Sequence, residues 1–329
     1  MIISKTPYRI SFFGGGTDYP EWYLKNGGSV LSTTIDKHIY ITCRTLPPFF
    51  HHKYRIVWSQ TERVKKIDQI KLKPVREMLK KFKIKNGLEI HYDGDLPSRS
   101  GMGSSSVFVV GLLNLLKNLS GKKISKKQLA LDSIKFEQEI LNETVGSQDQ
   151  IAAAYGGFNK IKFYTNGSFA ISNLNKQKTR IKKLNSNLIL LYTGLKRTAN
   201  DIAKKYVDKL QTTKKSHIIE ISNFVNDAEK IVKSGDLNDF GRILHESWLV
   251  KKKLSTSITN SKIDNIYNEA MKKGALGGKL LGAGGGGFLV FYVPHYRQNY
   301  FIKNFKKFIT IPFKFSSEGS TIMFKKFNY

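Results

Sequence analysis

The sequence predicts an α+β protein built as two lobes. Three observations carry that prediction. The chain has 329 residues, and a single hydrophobic core stops growing at about 250–300 residues. The second half reads as four helices between about 198 and 273, set against strand-like segments at Leu188–Tyr192, 287–293 and 320–327, the pattern of helices on a small antiparallel sheet. Between the halves, residues 174–187 are polar and Lys-rich, which places the lobes at 1–180 and 181–329.

In chain order, residues 2–13 alternate loosely and read as a strand that ends in Gly14-Gly15-Gly16. Residues 38–45 and 54–58 are rich in β-branched and aromatic side chains and read as further strands. Glu62 to Phe82 reads as helix, with Pro74 marking a break or a second start. Gly87–Tyr92 is a short strand. Ser104–Asn118 is a buried helix, with Val107, Val110, Leu113 and Leu116 recurring at near-helical spacing. Ser125–Asn142 is an amphipathic helix with Ser125 as its N-cap, and Gly146–Tyr155 is a further short helix stopped by Gly156-Gly157. Strands near 158–164 and 168–173 meet at Asn166-Gly167, a hairpin dipeptide. A last helix lies near 296–308.

The formal net charge is +30, from 55 Lys plus Arg against 25 Asp plus Glu. Such a balance raises nucleic acid, an anionic membrane or an anionic small substrate as partners. Only 10 of the cations are Arg, the residue whose planar fork suits base and phosphate clamping. No RNP aromatic motif, zinc pattern or Arg-rich stripe is present, so the charge reads mainly as Lys-rich solvated surface, with a basic nucleic-acid-binding protein as the remote alternative. The single Cys43 excludes a disulfide framework. The longest uncharged runs, Ser100–Leu116 and Leu280–Tyr296, fall short of the roughly 20 residues that span a bilayer. Nothing at the N-terminus reads as a secretory signal. The expectation is a cytoplasmic protein with no nucleic-acid or membrane partner, monomer or homodimer.

Three glycine-rich segments stand out. In Phe13-Gly14-Gly15-Gly16-Thr17-Asp18 the glycines allow positive φ and close approach of a ligand, with Asp18 free to accept from hydroxyl groups; a tight turn with Asp18 capping a helix fits as well. Pro97 to Ser106 sets Ser100, Gly101, Met102, Gly103, Ser104, Ser105 and Ser106 at the start of an apolar helix. Free N–H groups and the positive end of the helix dipole make that an anion site, unless it is a plain Ser-capped helix. No Gly-Lys-Ser/Thr ends the loop, so it is not a Walker A sequence. Gly284 to Gly287, running into an apolar strand, fit a backbone pressed against a ligand or another loop, or a flexible hairpin. Glu137 and Glu139 cannot share a helix face. An inward carboxylate near a phosphate-binding helix end suits Mg²⁺.

Together the motifs TPYRISFFGGGTDYP, LPSRSGMGSSS and KLLGAGGGGFLVF, in that order across residues 6–291, resemble the GHMP kinase superfamily of galactokinase, homoserine kinase and mevalonate kinase. Pro97 to Ser105 fits the family pattern P-x-x-x-G-x-G-S-S almost position for position. Gly15 and Gly16 stand where the galactokinase type carries an acid and a histidine. GGGTDYP with GSQDQIAAAYGG and YTGLKRTANDI resembles the D-glycero-D-manno-heptose 7-phosphate kinase branch, with L-fucokinase-like sugar 1-kinases next.

The resemblance implies an N-terminal β-α-β lobe like ribosomal protein S5 and a ferredoxin-like C-terminal lobe. It implies an ATP- and Mg²⁺-dependent sugar 1-kinase acting on a small sugar phosphate. Pro97 to Ser106 would wrap the ATP phosphates. Ser105, with Ser104 as second candidate, and Glu137 would hold Mg²⁺. Asp149 would face the acceptor hydroxyl with Arg9 beside it. Gly14, Gly15, Gly16, Thr17 and Asp18 would meet the sugar, Arg197 its phosphate, and Gly284 and Gly285 would close on the substrate and phosphate loop. Trp58 would pack on adenine, or in the core.

Overall fold

The computed structural model describes residues 1–195 and 202–326. Two strands organise the first lobe. β1 (Ile2–Phe13) alternates buried and half-buried positions at its start and is buried throughout its second half, so it passes from a sheet margin into the core. β2 (Gly28–Thr45) is long enough to pair with β1, β5 (Leu88–Gly94), β6 (Phe158–Phe163) and β12 (Phe315–Ser316), antiparallel in each case. β3 (Tyr54–Val57), β4 (Thr61–Val64), β7 (Phe169–Asn173) and β13 (Thr321–Lys325) complete a nine-stranded sheet. The hairpin β6–β7 turns at Asn166-Gly167, where Gly167 takes φ +80°.

The helices of this lobe are α1 (Pro20–Asn26), α2 (Lys73–Lys81), α3 (Ser104–Leu119), α4 (Lys126–Lys135), α5 (Gln148–Tyr155) and α6 (Lys178–Ser186). α3 is apolar nearly all round and is buried from Ser106 to Leu116 against β1 and β2. Its Gly111 permits the approach, since a Cβ there would lie 2.8 Å from Thr6 Oγ1. Ser125 caps α4 as its side chain accepts from Gln128 N at 3.1 Å. α4 then loosens into one π-helical turn, Phe136–Ile140, a local form that recurs at functional sites.

The second lobe is a four-stranded antiparallel sheet in the order β11 (Ile309–Ile311), β8 (Leu188–Tyr192), β10 (Phe288–Tyr292), β9 (Gly277–Leu280). Helices α7 (Lys215–Lys233), α8 (Leu237–Lys252), α9 (Ser261–Lys272) and α10 (Gln298–Asn304) accompany it. α8 packs on β9 and touches β1, and its Phe240 ring stands 5.2 Å from Phe12 and 5.1 Å from Phe13. The apolar core therefore runs unbroken from one lobe to the other.

Three expectations need correction. The helix read over 62–82 is a strand, a short 3₁₀ turn and only then α2, with Pro74 in its first turn, where the missing N–H costs nothing. The boundary placed between 180 and 181 in the polar stretch 174–187 falls inside α6, whose Ile181 and Leu184 are buried. The second lobe does not run unbroken from 181 to 329, because β12 and β13 return to pair with β2 and β1 of the first sheet.

Candidate active site at the junction of the lobes

β5 delivers the chain to the loop before α3. Arg99, Gly101 and Gly103 all take left-handed φ values, +57°, +80° and +74°, and fold this loop across the end of α3. Gly103 is the N-cap and no side chain caps the helix, so its first N–H groups stay available to an anion. This excludes the plain Ser-capped helix. Ser104 Oγ instead accepts from Arg99 N at 3.3 Å, within the loop. Ser100 and Met102 are buried, and Ser100 Oγ has no partner.

Arg9 projects from β1 into this loop. Its Nε and Nη2 donate to Asp149 Oδ1 and Oδ2 at 2.6 and 2.7 Å, and its Nη1 donates to the Gly101 carbonyl at 2.8 Å. One planar guanidinium thus ties the carboxylate and the phosphate loop together, which a point-charge ammonium does not do. Gly103 makes the room: a Cβ there would lie 3.1 Å from Asp149 Oδ2 and 3.3 Å from Arg9 Cζ. Asp149 stands in the first turn of α5, where the helix dipole favours negative charge. Arg9 is buried while Asp149 keeps 20 % of its side-chain surface open, so the carboxylate is fixed yet reachable.

The Gly14–Asp18 turn holds the start of α5. Asp18 Oδ1 accepts from Gly16 N at 3.0 Å, Oδ2 from Gln148 N at 3.4 Å, and its carbonyl from Ser147 N at 2.8 Å. Burial raises the Asp18 carboxyl above its ordinary range, and Asp149 adds to the effect. Thr17, expected to meet the sugar, is spent on the turn: its hydroxyl donates to the carbonyls of Gly14 and Ser29 and accepts from Ser29 N. Gly14 is buried against the Ser29 carbonyl, and Gly16 against Ile218. Gly15 differs: it is half-exposed, and a Cβ there would meet nothing nearer than Gln148 Nε2 at 3.8 Å.

Glu137 lies on the π turn and is fully buried, while Glu139 on the same turn is exposed beside Lys135. Glu137 Oε2 accepts from Gln150 Nε2, which also reaches Ser106 Oγ at 3.3 Å; Glu137 Oε1 has no partner. The hydroxyl beside Glu137 is therefore that of Ser106, and Ser105 is exposed. One residue is about 100° of helix, which turns the neighbouring serine away. An orphaned carboxylate oxygen next to a hydroxyl, with Glu143 and Asp149 near enough to act on it but no group of three or more His, Cys, Asp or Glu gathered among the described residues, fits a cation that takes few carboxylates and draws its other ligands from substrate phosphates and water. Glu137 and Ser106 would hold Mg²⁺, which when bound offsets charge on the terminal phosphates.

Burial pushes the Glu137 carboxyl up to about 8, against the lowering pull of Ser106 and Gln150. The folded protein thus holds this proton more tightly than the unfolded chain. The resulting cost to folding is absent below the ordinary carboxyl range and grows as pH rises from there to about 8. The Glu137 contribution to melting of the metal-free protein should therefore fall across that window, so the difference between Glu137→Gln and the wild type should grow with pH and the variant should melt higher at pH 8. The same variant should lose more turnover than the ~10–100-fold typical of removing an outer-shell metal partner. Melts in EDTA from pH 5 to 8 check the first part; parallel curves for the two proteins would show that Glu137 is not held in a dry site.

From the second lobe, the glycine run docks on the phosphate loop backbone to backbone. A Cβ on Gly282 would lie 2.6 Å from Gly101 Cα, one on Gly287 would collide with the Ser100 carbonyl, and Phe288 N donates to that carbonyl at 3.1 Å. Gly284 and Gly285, expected at the substrate, are buried against Ile258 instead, with Gly285 N donating to the Ile258 carbonyl at 2.8 Å. They brace the run from behind. Trp58 sits in the β3–β4 turn, half-buried on the core, and its indole N–H donates to Glu62 Oε1 at 2.9 Å. Val57 pairs with His91 of β5, so Trp58 stands near the strand that leads into the phosphate loop. Arg197 lies outside the described residues.

A loop with open N–H groups at a helix start, a carboxylate fixed by arginine and a buried glutamate with an unpaired oxygen fit a phosphotransferase with an alcohol group as acceptor. The chain belongs to the GHMP kinase family: it matches the GHMP kinases N terminal domain over residues 70–157 and the GHMP kinases C terminal domain over 228–305. ATP is the phosphoryl donor of that family, and the chain's relatives are sugar kinases. The chain is 29 % identical to the D-glycero-alpha-D-manno-heptose 7-phosphate kinase of Campylobacter jejuni, over 97 % of each chain. It is 25 % identical to the galactokinase of Pyrococcus furiosus over 87 % of each. Its fold superposes on a D-glycero-D-manno-heptose 1-phosphate kinase from Bacteroides thetaiotaomicron with a TM-score of 0.81, at 23 % identity and full coverage of both chains. Among the described residues no helix is long and apolar enough to cross a membrane.

Proposed function

We propose that the protein is an ATP- and Mg²⁺-dependent kinase that phosphorylates D-glycero-α-D-manno-heptose 7-phosphate at its anomeric hydroxyl, giving the 1,7-bisphosphate. The observation that carries this reading is the likeness to the Campylobacter jejuni enzyme over 97 % of both chains. The open space at Gly15, where the galactokinase type carries a side chain, supports an acceptor other than galactose. Asp149 meets the C1 hydroxyl and orients it or takes its proton. Phosphoryl transfer through a loose transition state needs chiefly such positioning and charge stabilisation. The product then serves nucleotide activation of heptose for surface polysaccharide in the cytoplasm.

An assay coupled to ADP release, run across heptose 7-phosphate, fucose, galactose and mevalonate, tests it. Heptose 7-phosphate should give the highest kcat/KM. A preference for fucose or galactose would make the protein a different sugar 1-kinase.

A further inference from the structure

Among the described residues, two buried lysines remain once the reaction has its residues. Lys279 in β9 crosses between the lobes, and its Nζ donates to the Phe12 carbonyl at 2.6 Å. Phe12 is the residue that the β1–β2 register skips between Ser11↔Ser32 and Phe13↔Leu31. Lys251, in the last turn of α8, donates to the carbonyls of Leu280, at 3.3 Å, and Gly282. Their exposures are 4 % for Lys279 and 8 % for Lys251.

The other buried bases, Arg9 and His38, face Asp149 and Asp95. Among the described residues, no carboxylate lies within ion-pair distance of Lys251 or Lys279. An ammonium has three donors and no acceptor. Of the six that the pair carries when charged, three are met by the carbonyls above. Arg9 and Asp18 are the charged groups that face both lysines, and each lysine faces the other. Arg9 in turn holds Asp149. With all five groups ionised the junction carries three positive charges against two negative. Burial, then Arg9, lowers Lys251 to about 7, and burial, then Lys251 and Arg9, lowers Lys279 well below its ordinary value. Buried charge of this kind is costly until an opposite charge arrives.

We propose that Lys251 and Lys279 form an anion subsite at the junction of the lobes, whose ligand is a phosphate group carried by the acceptor. This rests on the reading of the acceptor as a sugar phosphate. ATP already has the phosphate loop and the open end of α3; Lys251 reaches that loop only through Gly282, whose carbonyl it holds and which packs on Gly101. Lys279 instead reaches β1 directly before the Gly14–Asp18 turn, beside the residues assigned to the sugar. The phosphate supplies the missing acceptors, and the lysines take up protons as it binds.

Lys251→Met and Lys279→Met keep the apolar stem and remove the charge. Each should lower the ratio of kcat/KM on heptose 7-phosphate to that on unphosphorylated heptose by roughly 10-fold or more, the scale of a hydrogen bond to a charged group. Equal losses on both acceptors would reduce the lysines to a structural role, and a loss of ATP affinity in place of the ratio would assign them to the nucleotide; either result overturns the proposal. Should the variants fail to fold, calorimetry on the wild-type protein at pH 8, in buffers of different ionisation heat, reads the same event. Binding of heptose 7-phosphate, or of mannose 6-phosphate against mannose, should take up protons, and none taken up would sink it. If mannose 6-phosphate binds through the pair while heptose 7-phosphate is not turned over, the lysine subsite stands and the heptose reading falls.

Discussion

Asp149→Asn is expected to lower kcat by at least ~10², since removing one acid–base group typically costs 10²–10⁴, while ATP affinity holds. The reason is local. Both carboxylate oxygens accept from Arg9, and the third Arg9 donor goes to the Gly101 carbonyl. An asparagine keeps one acceptor but turns an NH₂ toward the guanidinium and removes the negative charge that the acceptor hydroxyl meets. The loop and the α3 N-terminus, which would face the nucleotide, are untouched. Arg9→Lys should also lose turnover, because one ammonium does not bridge two carboxylate oxygens and a carbonyl in one plane. The two changes act on one unit, so the double variant should lose far less than the product of the single losses. Steady-state kinetics with a separate nucleotide-binding titration decides the matter. Near-normal turnover in Asp149→Asn would remove the carboxylate from the mechanism.

How far the site was legible in the sequence follows from the range of the forces that build it. Ser125 as a cap and Asn166-Gly167 as a turn act within four residues, and both appear in the structure as read. Helical geometry alone says that only one of Glu137 and Glu139 can face inward; the resemblance selects Glu137, and it is the buried one. The sequence reading offers Ser105, then Ser104; that Ser106 is the hydroxyl beside Glu137 depends on the phase of α3 relative to the π turn, which is set by packing of two helices and not by either segment alone. Glu62–Val64 reads as the start of a helix because so few residues carry little periodicity; the pairing of Thr61–Val64 with β3 makes it a strand. Thr17 was legible as part of a polar turn but not as a side chain consumed by the backbone of Ser29, twelve residues on.

The lysines show the limit most sharply. Composition marks Lys as a surface residue, and most of the cations here read that way. Lys279 escapes that reading because only the fold buries it: its strand lies at the edge of its own sheet, and its side chain meets Phe12, 267 residues away. β13 is similar, since its return to β1 depends on the whole chain lying between them. Local chemistry made the glycine segments visible, and only the fold showed which of their members touch each other.

Gly287→Ala should be the most damaging single methyl in the second lobe. Gly287 takes φ +103°, a region that L side chains rarely adopt, where backbone strain costs on the order of 1–3 kcal/mol. The added Cβ would also collide with the Ser100 carbonyl. Gly287 has no room to retreat: its N–H donates to the Leu195 carbonyl at 2.8 Å, and its carbonyl accepts from Thr193 N at 2.9 Å and Thr193 Oγ1 at 2.7 Å. The displacement must therefore fall on Ser100 and Gly101, and through the Gly101 carbonyl on Arg9. Gly194→Ala is the matched control. It too sits at positive φ, +74°, but a Cβ there meets nothing within 4 Å. Both variants should melt lower, Gly194→Ala by the backbone cost alone, roughly 1 kcal/mol. Only Gly287→Ala should raise the KM for ATP and cut kcat, because only it pushes on the phosphate loop. Thermal melts and ATP titrations of the pair separate strain from docking, and an unchanged KM for ATP in Gly287→Ala would mean that the second lobe does not position that loop.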